Sequence, residues 1–297
     1  MSRILSLLAV TALLAACTGA SPSPSPVPSN TPFPSGSAGR LPSQPADGDL
    51  YIRAWYAQAL PPEHTFSWTP SITVADGLLL DGNVALPAIF PGPMMIAPNS
   101  RAISAAGISA LVGLAQQLGM LGDRTDFTGG DVAPGSRLGQ IEMAMEGGRR
   151  MLVGNPDLAV SCDGRICAVD PGTPDAFAAF WQQLSNAGTW LDSELGATNP
   201  YVPARVALLL TQPPVAEPGM PLTPVAWPLS TSLNDSGVEF PSAPELRCLT
   251  VAGADLQVLL PILQRATQLT VFVDDVDNVR SAEVRVLVPR ETSPCPD

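Results

Sequence analysis

Residues 18–48 are almost entirely Ser, Pro, Gly, Thr and Ala, with Ser-Pro repeats running from Ser21 to Pro26. A stretch with so few large apolar side chains buries too little surface to offset its chain entropy, so it is expected to stay extended and disordered. It reads as a spacer with a reach of at most roughly 90 Å at the polyproline rise. Any hydrophobic core must therefore be built from residues 49–297, a length suited to one large domain or two small lobes.

Ahead of the spacer lies a leader. Ser2-Arg3 gives a short positive start, Ile4 to Ala16 is almost wholly apolar, and the run ends Leu14-Ala15-Ala16-Cys17. A charged start, a short apolar core and small residues before a cut describe a secretory signal peptide. The core is shorter than the about 20 apolar residues that span a bilayer. The Leu-Ala-Ala-Cys ending resembles the lipobox of bacterial lipoproteins. That resemblance implies cleavage before Cys17 and a diacylglyceryl thioether on its sulfur. One acyl chain anchors a protein weakly, and two or more anchor it stably, so a di- or triacylated, palmitate-bearing Cys17 is the expected tether. The expected location is extracytoplasmic, on the cell membrane. Thr18 is not the Asp that resembles an inner-membrane retention signal, so a diderm host is expected to send the chain to its outer membrane.

Charge and composition remove several function classes. The chain has 27 acidic residues against 15 basic ones, all of them Arg. Losing Arg3 with the leader moves the formal net charge from -12 to -13. An exported chain this acidic is poorly suited to nucleic acid or to an anionic membrane face. Without Lys there is neither a Schiff base nor a Ser-Lys dyad. The single His, His64, excludes zinc centres built from several imidazoles. It follows Glu63 in Pro61-Pro62-Glu63-His64, without a nucleophile motif or a G-x-S-x-G elbow, and reads as an exposed loop residue. No paired Glu residues stand in a context that suggests glycoside hydrolysis. The five Trp residues, Trp55, Trp68, Trp181, Trp190 and Trp227, read as core rather than as a ligand platform.

Beyond Cys17 four cysteines remain, and an even count outside the cytoplasm predicts disulfides. Three pairings are possible. Cys162 and Cys167 flank Asp163-Gly164, a strong hairpin turn signal, which favours that pair and leaves Cys248 with Cys295.

Hairpins and single helices alternate along the remaining sequence. Leu50–Gln58 reads as a strand, Ser71–Val74 and Leu78–Leu80 as a hairpin, and Gln140–Met145 with Arg149–Val153 as a second hairpin. Apolar residues at helical spacing predict a helix over Ile103–Met120, with Ser100 or Ser104 as its cap. Thr173-Pro174-Asp175 opens another over Thr173–Leu195, which Gly188 can break. Pro203–Thr211 and Arg247–Val251 read as strands, and Asp255–Thr267 as a helix containing Pro261, tolerated only at a kink or an early turn. Leu269–Val273 and Ala282–Val288 form a last hairpin, and residues 212–228 read as irregular. The pattern predicts an α+β fold: mostly antiparallel sheet built from hairpins with two or three packed helices, possibly as two similar lobes, 49–156 and 157–297.

Two surface features point to binding. Asp274, Asp275 and Asp277, with Asn278, crowd the turn of the last hairpin, and clustered carboxylates of this kind suit Ca²⁺, a hard cation taking six to eight oxygens. No EF-hand pattern accompanies them, and a solvated acidic turn is the favoured reading. Asp123, Asp126 and Asp131 form a second, less compact acidic loop. Ile89-Phe90-Pro91-Gly92-Pro93-Met94-Met95-Ile96 is apolar yet lies in a loop, where it either covers a sheet or forms an exposed contact edge, and the covering reading is favoured.

Several motifs together resemble a family of uncharacterised secreted proteins and lipoproteins from high-GC bacteria. They are Pro61-Pro62-Glu63, Pro70-Ser71-Ile72-Thr73-Val74 with Asp76-Gly77, Ile89-Phe90-Pro91-Gly92-Pro93, Arg247-Cys248, Gly253-Ala254-Asp255-Leu256, and Val284 to Glu291 before Cys295. The resemblance spans most of 50–297. It implies a single exported domain and supports the Cys248–Cys295 link. No activity is assigned to that family, so none is implied here. The Asp274–Asp277 turn is not among the shared motifs.

The expected function is that of a non-catalytic, surface-tethered protein that binds an envelope component or another protein, with no cofactor. The alternatives are an extracellular hydrolase using carboxylates alone and a Ca²⁺-dependent binding module.

Overall fold

The structure is a computed structural model, and the residues it describes are 50–57, 66–85, 88–130, 137–145, 148–164, 166–240 and 243–296. Cys17, the spacer, Glu63-His64, Asp131 and the Glu146-Gly147 turn lie outside them. Among the described residues there are two large, mostly antiparallel sheets with helices packed on them and a small two-stranded sheet, which is the α+β fold read from the sequence.

The first sheet holds β1 (Tyr51–Ala57), β2 (Ile72–Ala75), β3 (Leu78–Asp81), β4 (Asn99–Ala102), β5 (Asp126–Phe127), β6 (Leu138–Met145), β7 (Gly148–Gly154) and β10 (Asn199–Pro200). Their order across the sheet is β10-β4-β3-β2-β1-β6-β7-β5. Asp76 and Gly77 both take positive φ, 51° and 73°, which is the backbone a two-residue hairpin turn demands between β2 and β3. On β1 the even-numbered side chains Ile52 and Ala54 join Ile72, Val74, Ile141, Met143 and Leu152 in one core. Two helices cover that face.

The first helix, α1 (Ala105–Gln117), starts where Ser104 Oγ accepts the Gly107 N–H at 3.1 Å. It stops in a Schellman arrangement. Gly119 takes φ 75°, its N–H donates to Gln116 and that of Met120 donates to Ala115. The second, α2 (Pro174–Ser185), has Thr173 as N-cap and Pro174 in its first turn, in the order the sequence suggests. It ends at Asn186, before Gly188, and continues as the short α3 (Ala187–Trp190) and a 3-10 turn over Asp192–Glu194. Trp190 folds back so that its Nε1 donates to the Gln183 carbonyl at 2.8 Å.

Gly139 and Gly154 explain how α2 seats on the sheet. They are cross-strand partners on β6 and β7. A Cβ on Gly154 would lie 2.5 Å from the Phe177 ring, and one on Gly139 would lie 2.9 Å from the Trp181 ring. The paired glycines leave a flat patch of backbone for two aromatic faces. Between β7 and α2, β8 (Cys162–Asp163) and β9 (Ile166–Cys167) form the small hairpin expected there, closed by the Cys162–Cys167 disulfide.

The second sheet runs β12-β15-β16-β11-β14-β13: β11 (Arg205–Thr211), β12 (Thr223–Ala226), β13 (Val238–Phe240), β14 (Ala243–Ala252), β15 (Thr270–Val273) and β16 (Val279–Val286). Val206, Leu208 and Leu210 face α4 (Gly253–Leu263) through Leu256, Leu259 and Leu263. Pro261 lies inside α4, late rather than early. It sits on the exposed side, as does Gln257, whose carbonyl loses its helical partner where water can replace it. The alternate residues of β11, Ala207 and Leu209, pack under Phe66, Phe240, Leu287 and the Cys248–Cys295 disulfide.

The lobe boundary is not at 156/157. Phe177, Phe180 and Leu184 fill the first core and β10 pairs with β4, so the chain changes lobe between Pro200 and Arg205. Residues 212–228 are not wholly irregular either, because β12 pairs in parallel with β15. Its Pro224 is tolerated since β12 is an edge strand.

Replacing Gly154 with Ala forces the Phe177 ring off its seat. Overpacking of this kind costs about 1–3 kcal/mol, so the urea unfolding midpoint of Gly154→Ala is expected to fall. An unchanged midpoint would contradict the packing described.

Candidate functional site

The charged residues gathered between the two sheets form the most concentrated polar site among the described residues. Thr73, Arg53 and Glu142 are direct cross-strand partners on β2, β1 and β6, so they form one row on the face of the first sheet away from α1 and α2. Arg53 Nη2 lies 3.0 Å from Glu142 Oε2, and its Nη1 lies 3.3 Å from Glu291 Oε1. Glu291 follows β16 and reaches the second sheet as well, pairing with Arg285 on β16. The Glu291 backbone carbonyl accepts from Arg205, and Glu291 Oε2 accepts the Val288 N–H at 3.0 Å. Arg149 pairs with the other oxygen of Glu142. The two carboxylates are nearly closed to solvent, with side-chain exposures of 4 % for Glu142 and 1 % for Glu291.

The surroundings are equally polar. Arg53 lies 4.5 Å over the Trp55 ring, and Arg285 Nη1 donates to the Phe66 carbonyl at 3.3 Å. Burial pushes the Tyr51 phenol above its ordinary value, and Glu142 adds to the rise while Arg53 opposes it. Tyr51 Oη, Arg53 Nε, Thr73 Oγ1 and Arg285 Nε lack a hydrogen-bond partner, and Glu142 Oε2 has the Arg53 ion pair but no well-directed hydrogen bond. Each carboxylate is bracketed by two guanidinium groups. This arrangement ties β1 to β6 and to the segment after β16.

Sequence reasoning missed this cluster. The available signal was a charged residue inside an apolar strand: Arg53 within Ile52-Arg53-Ala54 and Glu142 within Ile141-Glu142-Met143. Their partner Glu291 is 238 residues from Arg53.

The structure corrects the proposed Ca²⁺ site. Asp274, Asp275 and Asp277 do not converge, and among the described residues no group of three or more His, Cys, Asp or Glu side chains is placed to hold a metal ion. Asp274 is buried and faces donors. Its Oδ1 accepts the Asn278 N–H at 2.8 Å and the Val276 N–H at 3.2 Å. Its Oδ2 accepts from Asn278 Nδ2 at 2.9 Å, and from Leu233 N and Ser232 Oγ at 3.0 Å each. With both oxygens so engaged it is the keystone of the turn rather than a cation ligand. Asp275 and Asp277 are exposed, and Asp277 supplies the left-handed residue of the turn at φ 62°. Asp126 caps its own loop by accepting from Thr128 N and Oγ1.

The other candidates divide. Both disulfides form in the pairing favoured from the sequence, Cys162–Cys167 and Cys248–Cys295. Two such bonds fit an oxidising, extracytoplasmic compartment. Among the described residues no helix is long and apolar enough to cross a membrane. The 89–96 loop is split: Met94 and Met95 enter the second core, whereas Ile89 and Phe90 are exposed. Trp181 and Trp227 are core residues, Trp55 and Trp190 are half-buried, and Trp68 is exposed.

The chain matches no protein-family model, no curated protein and no solved structure.

Burial alone raises the Asp274 carboxyl pKa, but hydrogen bonds from Asn278, Leu233 and Ser232 outweigh it and hold the group well below the usual carboxylate range. A depressed folded-state value contributes stability above the unfolded-state value of about 3.9, and that contribution is lost as the pH falls further. Urea midpoints measured from neutral pH down to acid should therefore drop more steeply below about pH 4 for the parent than for Asp274→Asn. Parallel curves would contradict the role given to Asp274.

Proposed function

We propose that this chain is a membrane-tethered extracytoplasmic lipoprotein whose domain acts by binding a protein or envelope component. The observation that carries the reading is the pair of disulfides behind a lipobox-like leader. An oxidised domain fits an exported chain, and Leu14-Ala15-Ala16-Cys17 offers the means of retaining it at a membrane. The buried carboxylates support binding over catalysis. Glu142 and Glu291 join strands and sheets, and Asp274 holds a turn, so each has a structural engagement that chemistry on a substrate would disturb. The exposed Ile89 and Phe90 give the domain an apolar contact point.

In a bacterium with lipoprotein-processing enzymes, the chain is expected to incorporate an alkynyl palmitate label and to sediment with membranes. Cys17→Ala should abolish the label. A parent chain that is exported but unlabelled would overturn the lipoprotein reading.

A further inference from the structure

The loop carrying Ile89 and Phe90 is pinned to the turn that follows α4. Gly92 N donates to Gln268 Oε1 at 3.1 Å, Gln268 N donates to the Gly92 carbonyl at 3.0 Å, and Met94 N donates to the Ala266 carbonyl at 2.9 Å. Met94 and Met95 then lock into the second core. The two residues before the pinned stretch point away from that core, with Ile89 66 % exposed and Phe90 62 % exposed. A fixed loop is thus presenting two of its largest apolar side chains to the outside.

The neighbouring helix continues this character. The outer side of α4 carries Ala254, Val258 and Pro261, with Val258 54 % exposed, and Ile262 is half-buried near the pinned turn. Exposed Asp255, Gln257 and Gln264 lie among them, so Val258 and Pro261 are the apolar members of a mixed outer face.

Charge narrows the occupant. The chain has 27 acidic residues, yet there is no Asp or Glu from Gly82 to Gly122 or from Leu256 to Val273, the two segments that build this surface. Exposed Arg265 lies between α4 and the pinned turn, while Asp255 sits at the opposite end of the helix. The acidic net charge repels the molecule from an anionic bilayer, and these two segments contribute no carboxylate to that repulsion. Length points the same way. The chain between Cys17 and Leu50 spans roughly 100 Å at the polyproline rise, so a lipidated Cys17 confines the domain to the neighbourhood of one particular bilayer. Contact with that bilayer is then effectively intramolecular, and a few apolar side chains suffice.

We propose that Ile89, Phe90 and the outer side of α4 form a membrane-contacting surface that inserts into the interface of the bilayer holding the chain's own lipid anchor. The inference rests on the lipoprotein reading above and adds to it an orientation: the second lobe lies toward the membrane by the end of α4. Apolar insertion rather than charge drives the contact, and the lack of Asp and Glu in residues 82–122 and 256–273 lowers the charge that opposes it.

The test uses the full lipidated protein in phosphatidylcholine vesicles, with and without doxyl-labelled lipid. Phe90→Trp is expected to add a blue-shifted emission component that doxyl lipid quenches at least twofold. Ile166→Trp, on the disulfide hairpin of the first lobe and itself 66 % exposed in the parent, should add an unquenched component. Ile89→Trp repeats the measurement should Phe90→Trp fold poorly. A solvent-like, unquenched indole at either loop position overturns the proposal. So does a blue-shifted indole that doxyl lipid leaves unquenched, since that assigns the surface to a second copy or another protein. The mass of the N-terminal peptide reports lipidation separately. An unlipidated terminus overturns the tether and this inference with it, whereas a lipidated terminus with an unquenched indole overturns this inference alone.

Discussion

Glu291 places one carboxylate between guanidinium groups of different sheets, Arg53 on β1 and Arg285 on β16. Further contacts between the lobes lie on the same segment. Leu287, four residues earlier, closes the small core over Ala207 and Leu209, and Arg290, next to Glu291, pairs with Asp76 in the β2–β3 turn. Ser293 and Cys295 fasten the same segment to Thr250 and Cys248 on β14. The C-terminal segment therefore works as a strap. The disulfide fixes its far end to the second sheet, and the Glu291 carboxylate fixes its middle to both sheets.

Buried ion pairs contribute little net stability, because desolvating the charges offsets most of their attraction, yet removing one partner is costly. The junction has several polar atoms without partners, which weakens it further as a source of stability. The two apolar cores hold each lobe together, and the ionic junction selects how the lobes meet. The result is two stable lobes that present surface loops in a fixed relation. The 89–96 loop is one such case, since it leaves the first lobe and completes the core of the second through Met94 and Met95.

Features written in local chemistry were legible in the sequence. The Asp76-Gly77 turn, the Ser104 and Thr173 caps, the buried run from Val206 to Leu210 and both cysteine pairs could be read without knowing the rest of the fold. Features that depend on distant partners were not. Strand β12 contains Pro224 and exists only because β15 lies beside it. The lobe boundary was misplaced because the seat of Phe177 and Trp181 is a pair of glycines on other strands, whose lack of side chains leaves no apolar pattern. The carboxylates around Asp274 are visible in sequence as an acidic turn, whereas two of its donors, Ser232 and Leu233, lie more than forty residues away, so its burial and its hydrogen bonds are not. The charged junction escaped for the same reason.

The central claim is that the Glu291 carboxylate couples the two sheets. A double-mutant cycle on Arg53→Met and Glu291→Leu, followed by urea unfolding, tests it most directly. A coupling energy of about 1.5–3 kcal/mol is expected, because each single variant strands the charge its partner balanced. Single effects that add to within about 0.5 kcal/mol would contradict the account and leave the lobes held by their apolar contacts alone.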